Sequence, residues 1–168
     1  MKHPRKLDKR RTRESRTNYK RRLNLLKSNS PRLVVRKSNK YVYLQIVESI
    51  HAQDKVLFSA DTKELLKYNW TENKSGSLKS LSASYLAGFL IGKKAKSVKT
   101  RVIPDIGLIP NTKGSRVYAA IKGASDAGLD VKYDEEVIPP KDKIEKPEFF
   151  SKVKGAIKWK SKIWNLLK

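Results

Sequence analysis

Residues 32–60, RLVVRKSNKYVYLQIVESIHAQDKVLFSA, decide the fold, because three apolar runs follow one another there with only short polar connections between them. The runs are rich in β-branched and aromatic residues, which favour strands. They span residues 32–36, 41–48 and 55–60. Residues 37–40 and 51–54 are short enough to be hairpin connections. The stretch therefore predicts an antiparallel meander of three strands.

The second run alternates in hydropathy. Between residues 41 and 46 it places Tyr, Tyr and Gln at the odd positions and Val, Leu and Ile at the even ones. Successive side chains of a strand point to opposite faces. We therefore expect one face of the sheet to be buried and the other to present aromatic and amide groups.

After the meander, helix and strand signals alternate along the chain. We predict, in order, a short helix capped by Asp61-Thr62 and ending at Tyr68, a loop over 69–80, a helix from a cap at Ser82 or Ser84 to Lys96, a strand over 101–106, a loop over 107–113 and a helix over 115–127 that stops at Gly128. Gly88 and Gly92 share a stripe of the first long helix, where small residues would let it lie close to the sheet. This order predicts an α/β (α+β) domain in which helices pack against a mixed sheet.

Charge is distributed unevenly along the 168 residues, whose formal net charge is +23. Residues 1–40 hold 16 basic and 2 acidic side chains, residues 41–140 hold 14 and 11, and residues 141–168 hold 9 and 3. Two basic ends on a nearly balanced body are typical of nucleic-acid-binding proteins. We divide the chain into a basic arm with a short helix (1–30), a globular α/β domain (31–140) and a basic amphipathic C-terminal extension (141–168).

Composition also excludes several classes of protein. The chain has no cysteine, so it has neither a disulfide framework nor a thiolate metal site. It has no apolar segment of the length that a transmembrane helix needs, and no apolar core of a secretory signal near its start. We expect a cytoplasmic protein.

The arm is the most basic segment, since twelve of the first 27 residues are Lys or Arg. Residues 1–13 are expected to be extended or disordered without a partner, and residues 14–26 to form a short helix with Tyr19 on its apolar face. Arginine binds phosphate in a bidentate way and stacks on bases, so an Arg-rich arm suits a shaped RNA. The alternative is a solvating or nuclear-targeting tail.

The first strand and its hairpin form a second basic segment. Arg32 and Arg36 lie four residues apart, so on a strand they share a face and could follow one RNA backbone. Ser38 and Asn39 in the turn add neutral donors. The alternative is a strand with one solvated basic face.

A third segment, residues 110–118, is a loop that leads into a helix. Free backbone amides and the helix dipole favour an anion at such a place. Lys113, Ser115 and Arg116 would complete an anion site. The alternative is an ordinary capped helix with solvated charges.

Together the three segments give the candidate RNA-binding residues. These are Arg10, Arg11, Arg13, Arg16, Tyr19, Arg21, Arg22, Arg32, Arg36, Lys37, Ser38, Asn39, Lys113, Ser115 and Arg116. Other motifs give weaker signals: the spacing of Gly88 to Lys94 is wrong for a phosphate-binding loop, and neither His3 nor His51 has a paired ligand. We predict no catalytic residue, metal or cofactor.

The tail from Pro147 places Phe149, Phe150, Val153, Ile157, Trp164 and Leu167 near helical spacing among lysines. This pattern predicts a basic amphipathic helix. It could bind RNA, pack on the domain, touch a membrane surface or dock on a neighbouring protein.

Four segments resemble, in order, one known family. They are RLVVRKS at 32–38, AGFLIGKKA at 87–95, DIGL at 105–108 and TKGSRVYAAIKGASDAGL at 112–129. The chain resembles, over roughly residues 8–140, the large-subunit ribosomal proteins that bind 5S rRNA (bacterial L-eighteen and eukaryotic L-five). The TKGSRV segment is similar to the archaeal and eukaryotic branch, and the short length favours the archaeal form.

The resemblance implies a structural constituent of the large ribosomal subunit. Such proteins bind 5S rRNA, help attach it to the large-subunit rRNA in the central protuberance, and catalyse no reaction. Its partners would be 5S rRNA, large-subunit rRNA and neighbouring ribosomal proteins, with neither a membrane nor a second copy of the chain.

Two other classes of function stay open at this point. An RNA-processing nuclease would need clustered carboxylates to hold metal ions, whereas Asp105 stands alone near a strand end, where a cap or loop hydrogen bond is the simpler role. A general RNA chaperone would need only the basic arm.

Overall fold

A mixed four-stranded sheet forms the centre of the computed structural model, which describes residues 7–50, 53–68, 70, 77–145 and 150–166, with side chains through residue 158. The strands are β1 (Arg32–Lys37), β2 (Val42–Ile50), β3 (Gln53–Asp61) and β4 (Ile103–Asp105). Their order across the sheet is β3-β2-β1-β4. The meander β1-β2-β3 is antiparallel, as expected, and β4 pairs in parallel with β1.

Helices account for most of the other described residues. They are α1 (Arg10–Arg13), α2 (Tyr19–Lys27), α3 (Leu81–Lys94), α4 (Arg116–Asp126), α5 (Lys141–Ile144) and α6 (Phe150–Leu166), with 3-10 turns at Thr62–Tyr68 and Glu135–Val137. The expectation of an α/β fold with a mixed sheet is confirmed. No helix in the described ranges has the length and apolarity needed to cross a membrane.

The alternating hydropathy of the second strand correctly indicates which face of the sheet is buried in the core. Leu33 and Val35 of β1 and Leu44 and Ile46 of β2 are fully buried, whereas Tyr43 faces solvent. The pairing shifts between Ile46 and Val47, and Leu57 has no partner on β2. Such a β-bulge bends the strand and increases its twist.

Helices α3 and α4 touch each other at glycines. A Cβ on Gly88 of α3 would lie 1.9 Å from the carbonyl oxygen of Ala120, and one on Gly123 of α4 would lie 2.0 Å from that of Tyr85. The small residues of α3 therefore face α4, which corrects the expectation that they approach the sheet. Backbones can come this close only where no side chain separates them.

Two boundaries of α3 and β4 differ from the sequence prediction. Ser80, rather than Ser82 or Ser84, caps α3, because its side chain accepts a hydrogen bond from the Ala83 amide at 3.2 Å. Ser82 Oγ instead donates to the Ile144 carbonyl at 2.5 Å. The fourth strand is only three residues long, and Val102 before it makes an isolated parallel bridge to Val131.

The arm is more ordered than expected. Residues 10–13 form the one-turn helix α1, where the sequence predicts an extended or disordered chain. The predicted helix over 14–26 starts later, at Tyr19, because Ser15 has a positive φ of 51° that no α-helix accommodates. Asn18 then caps α2, its side chain accepting from the Arg21 amide at 3.0 Å.

The tail is helical, as expected, from Phe150. Phe150, Val153 and Ile157 are buried, and α6 contacts α3. Lys154 Nζ lies between 5.2 and 5.7 Å from the ring centroids of Tyr85, Phe89 and Phe150. Of the roles left open, these residues pack on the domain; Pro147, Phe149, Leu167 and the Trp164 side chain lie outside the described residues.

The glycine contact predicts a strong effect of one methyl group. Gly88→Ala would lower the free energy of unfolding by roughly 3 kcal/mol, because its Cβ overlaps the Ala120 backbone. Gly155→Ala, in α6, is the matched control, since nothing lies within 4 Å of that Cβ. It should raise helix stability by up to about 1 kcal/mol. Urea unfolding of both variants measures the difference, and equal effects would contradict close helix contact.

Candidate nucleic-acid interface

The Arg32 guanidinium group lies buried at the start of β1, where it joins all four strands. Nη1 is 3.3 Å from Asp105 Oδ2 on β4, and Nη2 is 2.8 Å from Asp54 Oδ1 on β3. Nη2 also donates to Ser49 Oγ on β2 at 2.8 Å. The Arg32 side chain is only 4% exposed. A charge at this depth needs such partners, because an isolated ion loses its hydration on burial.

Arg32 therefore takes a role that differs from the predicted one. The sequence pattern correctly places Arg32 and Arg36 on one face of β1, but both guanidinium groups turn to Asp105 rather than lying free along that face. Arg32 is buried and paired with carboxylates. We therefore correct its predicted role as an RNA contact and assign it a structural role at the centre of this ion-pair cluster. Arg36 differs, because 45% of its side chain is exposed.

Asp105 organises the chain that follows β4. Its Oδ1 accepts from Arg36 Nη2 at 3.1 Å and from the Gly107 amide at 2.9 Å. Gly107 has a φ of +64°, and a Cβ there would lie 3.0 Å from the Arg36 guanidinium carbon. Glycine at this position thus provides the turn and leaves room for Arg36. The simple role expected of Asp105, a loop hydrogen bond, is present together with two ion pairs.

Asp54 connects the sheet to the arm. Besides Arg32, its carboxylate binds Arg22 Nη2 of α2 at 3.1 Å and accepts from Ser49 Oγ at 2.5 Å. Partial burial would raise the pKa of Asp54, but the Ser49 hydrogen bond and the neighbouring Arg32 charge outweigh it. The net pKa is lowered, which favours the ionised carboxylate.

Helix α2 rests on the domain through polar contacts. None of its residues is buried. Arg22 pairs with Asp54, and Arg21 Nη1 donates to the Gly107 carbonyl at 3.0 Å. The arm, β1 and the Gly107 turn are thereby brought together as one basic surface.

The remaining arm candidates are exposed. Arg10 and Arg16 lie 3.6 and 3.2 Å from carboxylate oxygens of Glu14, and about three quarters of the Arg10 side chain faces solvent. Arg11 Nε donates to Thr17 Oγ1 at 3.0 Å. The Arg13 side chain has no ion pair or hydrogen bond in the part of the chain that the structure describes. The Tyr19 ring is partly exposed and has Lys9 Nζ 4.8 Å from its centroid.

The hairpin after β1 is closed by Ser38. Its Oγ donates to the Tyr41 carbonyl at 3.1 Å and accepts from the Tyr41 amide at 3.0 Å. The Asn39 carbonyl accepts from Lys79 Nζ at 2.9 Å, while Lys37 is exposed. The Ser38 hydroxyl is thus used within the turn, whereas the exposed Lys37 ammonium group is more available to a ligand.

The turn before α4 presents a different geometry. Lys113 pairs with Glu136 at 3.2 Å, and both side chains are mostly exposed. Ser115 is the N-cap residue, yet its Oγ is buried without a hydrogen-bond partner among the described residues. Arg116 makes no ion pair within those ranges. Glu136 lies in the acidic run of residues 134–136, where the Asp134 side chain accepts a hydrogen bond from the Glu136 amide at 3.2 Å and fixes a turn.

The candidates fall into two groups in space. The arm, Arg36 and the Gly107 turn are linked by hydrogen bonds and ion pairs. Between residues 113–116 and either the arm or the hairpin, the described part of the chain shows no such link. Sequence reasoning missed the roles of Ser49, Asp54 and Gly107. The only sequence signal for Asp54 is its position next to the second hairpin connection, and that signal is weak.

Comparison with known proteins identifies the family. Residues 5–100 and 94–134 match the family described as "Ribosomal large subunit proteins 60S L5, and 50S L18". The chain is 46% identical over 136 residues to "Large ribosomal subunit protein uL18" of Korarchaeum cryptofilum, covering 80% of this chain and 68% of that protein. The chain belongs to the uL18 family.

Other archaeal members of the uL18 family are similarly close. The protein of Ignicoccus hospitalis is 46% identical over 141 residues, covering 83% of this chain and 67% of its own length. The protein of Methanoregula boonei is 42% identical over 136 residues, covering 80% of this chain and 76% of its own length. The resemblance to an archaeal-type ribosomal protein is therefore confirmed.

Membership in the uL18 family fixes the general role. The chain is a protein of the large ribosomal subunit, and its partners include ribosomal RNA. These relatives are ribosomal proteins rather than enzymes, so the nuclease alternative is set aside. No group of three or more potential metal ligands occurs in the residues for which the structure gives positions.

The Arg32 cluster predicts a buried electrostatic contribution to stability. Asp105→Asn would lower the free energy of unfolding by about 3 kcal/mol, because it leaves the buried Arg32 without one of its two carboxylates. Glu136→Gln, in an exposed pair, should change it by less than about 1 kcal/mol.

A double-mutant cycle separates the ion pair from a general packing defect. The double variant Arg32→Met, Asp105→Asn should lose less free energy of unfolding than the two single variants together. Once Arg32 is replaced, the Asp105→Asn change no longer leaves a buried guanidinium group without its carboxylate. Additive effects in chemical unfolding would contradict the pairing.

Proposed function

We propose that this protein binds 5S rRNA and helps attach it to the large-subunit rRNA in the central protuberance. The observation that carries the proposal is the joined basic surface of the arm, Arg36 and the Gly107 turn, in a chain of the uL18 family. Within residues 1–40, 16 basic side chains face only 2 acidic ones. Such a surface suits the phosphate backbone of a folded RNA.

The arm supplies most of the affinity in this proposal. Among the described residues, the arm's arginine side chains contact Glu14, Thr17, Asp54 and the Gly107 carbonyl, which leaves other guanidinium donors for phosphate. Replacing condensed counterions with these cations favours binding at low salt. The C-terminal extension, in contrast, begins with a turn packed on α3.

In this proposal the hairpin and the exposed face of the sheet contribute to recognition of the RNA's shape. Arg36 and the opposite Tyr43 are neighbours across β1 and β2, and both are partly exposed. An arginine beside an aromatic ring is a suitable surface for an unpaired base. Lys37 extends the same edge toward the backbone of the RNA.

The turn at residues 113–116 is proposed as a separate phosphate contact. The first amides of α4 have no acceptor within the helix, and Ser115 Oγ is buried without a partner among the described residues. Arg116 adds a full charge next to them. Two separate contacts would select a target by its shape, which a charge-driven RNA chaperone would not do.

The organisation into arm, globular domain and extension (1–30, 31–140 and 141–168) belongs to the same proposal, as does binding as a single copy. An arm that reaches around RNA while the domain stays folded would explain why charge concentrates before residue 41.

Removing residues 1–22 should weaken 5S rRNA binding and flatten its salt dependence. The slope of log affinity against log salt falls by roughly 0.7–0.9 for each lost phosphate contact. Filter binding over a salt series measures the slope. An unchanged slope would exclude the arm from the interface.

Specific binding should survive a competitor. At about 0.2 M salt, where nonspecific contacts are screened, excess tRNA should not displace 5S rRNA from the full chain. Displacement by tRNA would favour the charge-driven alternative and refute a shaped site.

Arg116→Ala should weaken 5S rRNA binding by roughly tenfold, because one charged hydrogen bond to phosphate is lost. The matched control is Arg101→Ala, which removes an exposed arginine outside the proposed interface. Filter binding compares the two, and circular dichroism checks that both fold. Equal losses would show that net charge alone matters, and unfolding of the Arg116 variant would make that residue structural.

A further inference from the structure

Helix α2 is attached to the domain without fully burying any apolar side chain. No residue of α2 is buried, and about half of the Leu23 surface faces solvent. Leu25 and Leu26 are partly buried, so the hydrophobic contact of this helix is incomplete and polar links help to fix its orientation. Its described polar links to the domain are the Arg22–Asp54 ion pair and the Arg21 hydrogen bond to Gly107.

Asp54 is itself held in place from the sheet side. Ser49 Oγ and Arg32 Nη2 both bind its Oδ1, at 2.5 and 2.8 Å, which leaves Oδ2 directed to Arg22. Arg32 in turn is fixed by Asp105 on the far strand. The carboxylate thus presents one oxygen to the core cluster and one to the arm.

We infer that Asp54 is a positioning residue for RNA binding, which sets the arginine helix α2 at a fixed place beside the sheet. This inference rests on the proposed binding of 5S rRNA. An ordered helix meets its target with less conformational freedom to lose, so the free protein binds more tightly. If only a fraction of molecules has α2 in place, the apparent affinity falls by that fraction.

The inference makes a prediction opposite to that of simple electrostatics. Removing a negative charge from a basic surface should strengthen RNA binding, since phosphate is repelled less and Arg22 is released. If Asp54 positions α2, the same removal weakens binding. The sign of the change therefore separates the two roles.

The test compares three variants of the full chain. Asp54→Asn removes the charge but keeps the shape of the side chain. Asp142→Asn makes the same charge change at an exposed site of α5, away from the arm. Ser49→Ala removes one of the hydrogen bonds that hold Asp54 but keeps its charge and its pair with Arg22, so it is a milder test of the same positioning.

Two readouts are measured for each variant. Hydrogen exchange of the α2 amides in the free protein reports the order of the helix without any RNA. Filter binding reports affinity for 5S rRNA and, in parallel, for tRNA.

The positioning role predicts faster α2 exchange and roughly two- to fivefold weaker 5S rRNA binding in Asp54→Asn, the range of an exposed ion pair. Asp142→Asn should not weaken binding, and Ser49→Ala, which keeps the Arg22–Asp54 pair, should weaken it less than Asp54→Asn does. Unchanged α2 exchange, or tighter binding by Asp54→Asn, would overturn the inference.

The proposed function can fail separately. If the parent chain binds tRNA as well as 5S rRNA, the shaped 5S site is refuted, while α2 exchange and tRNA affinity still decide whether Asp54 positions the arm.

Discussion

The buried guanidinium of Arg32 is the interaction on which the arrangement of the sheet and arm depends. It faces carboxylates from both edge strands, Asp54 and Asp105, and each carboxylate then binds a second arginine nearer to solvent. Positive and negative groups alternate along this line, so charge is balanced at depth while the outer ends remain basic. A buried ion pair is weak evidence of high stability, but it specifies one geometry, because any other pairing leaves an ion unsatisfied.

The helical layer imposes a second constraint of a different kind. Gly88 and Gly123 allow α3 and α4 to meet backbone against backbone, and Tyr85 donates to Asp126 Oδ2 at 2.7 Å across the same contact. Burial and the neighbouring carboxylate raise the pKa of Tyr85, which keeps the hydroxyl protonated as a donor. Since α4 begins at Arg116, this contact also determines where the 113–116 turn stands relative to the sheet. The basic groups of this turn are therefore positioned by the close contact between α3 and α4.

Local patterns in the sequence predict the meander and helices α3 and α4 well, because alternation and helical spacing reflect which side of an element is buried. They place the glycines of α3 against the sheet instead of α4, since glycines indicate a close approach but not to what. They also miss the one-turn helix of the arm, whose break depends on the positive φ of Ser15. The role of Arg32 lies beyond any local pattern, because a basic residue on a strand face looks the same whether it meets solvent or a distant carboxylate such as Asp105. The family resemblance, by contrast, rests on long exact segments and required no geometry.

The parallel pairing of β4 with β1 has a consequence for the order of folding. The meander needs only neighbouring residues, so it can assemble as soon as β3 has been synthesised, whereas Ile103–Asp105 comes from far along the chain. Contacts between distant segments close slowly, because a long loop loses entropy before the contact forms. Until β4 arrives, the edge of β1 is unpaired and Arg32 lacks Asp105. If the meander forms first, the chain carries an open sheet edge beside an incompletely neutralised arginine until β4 joins it.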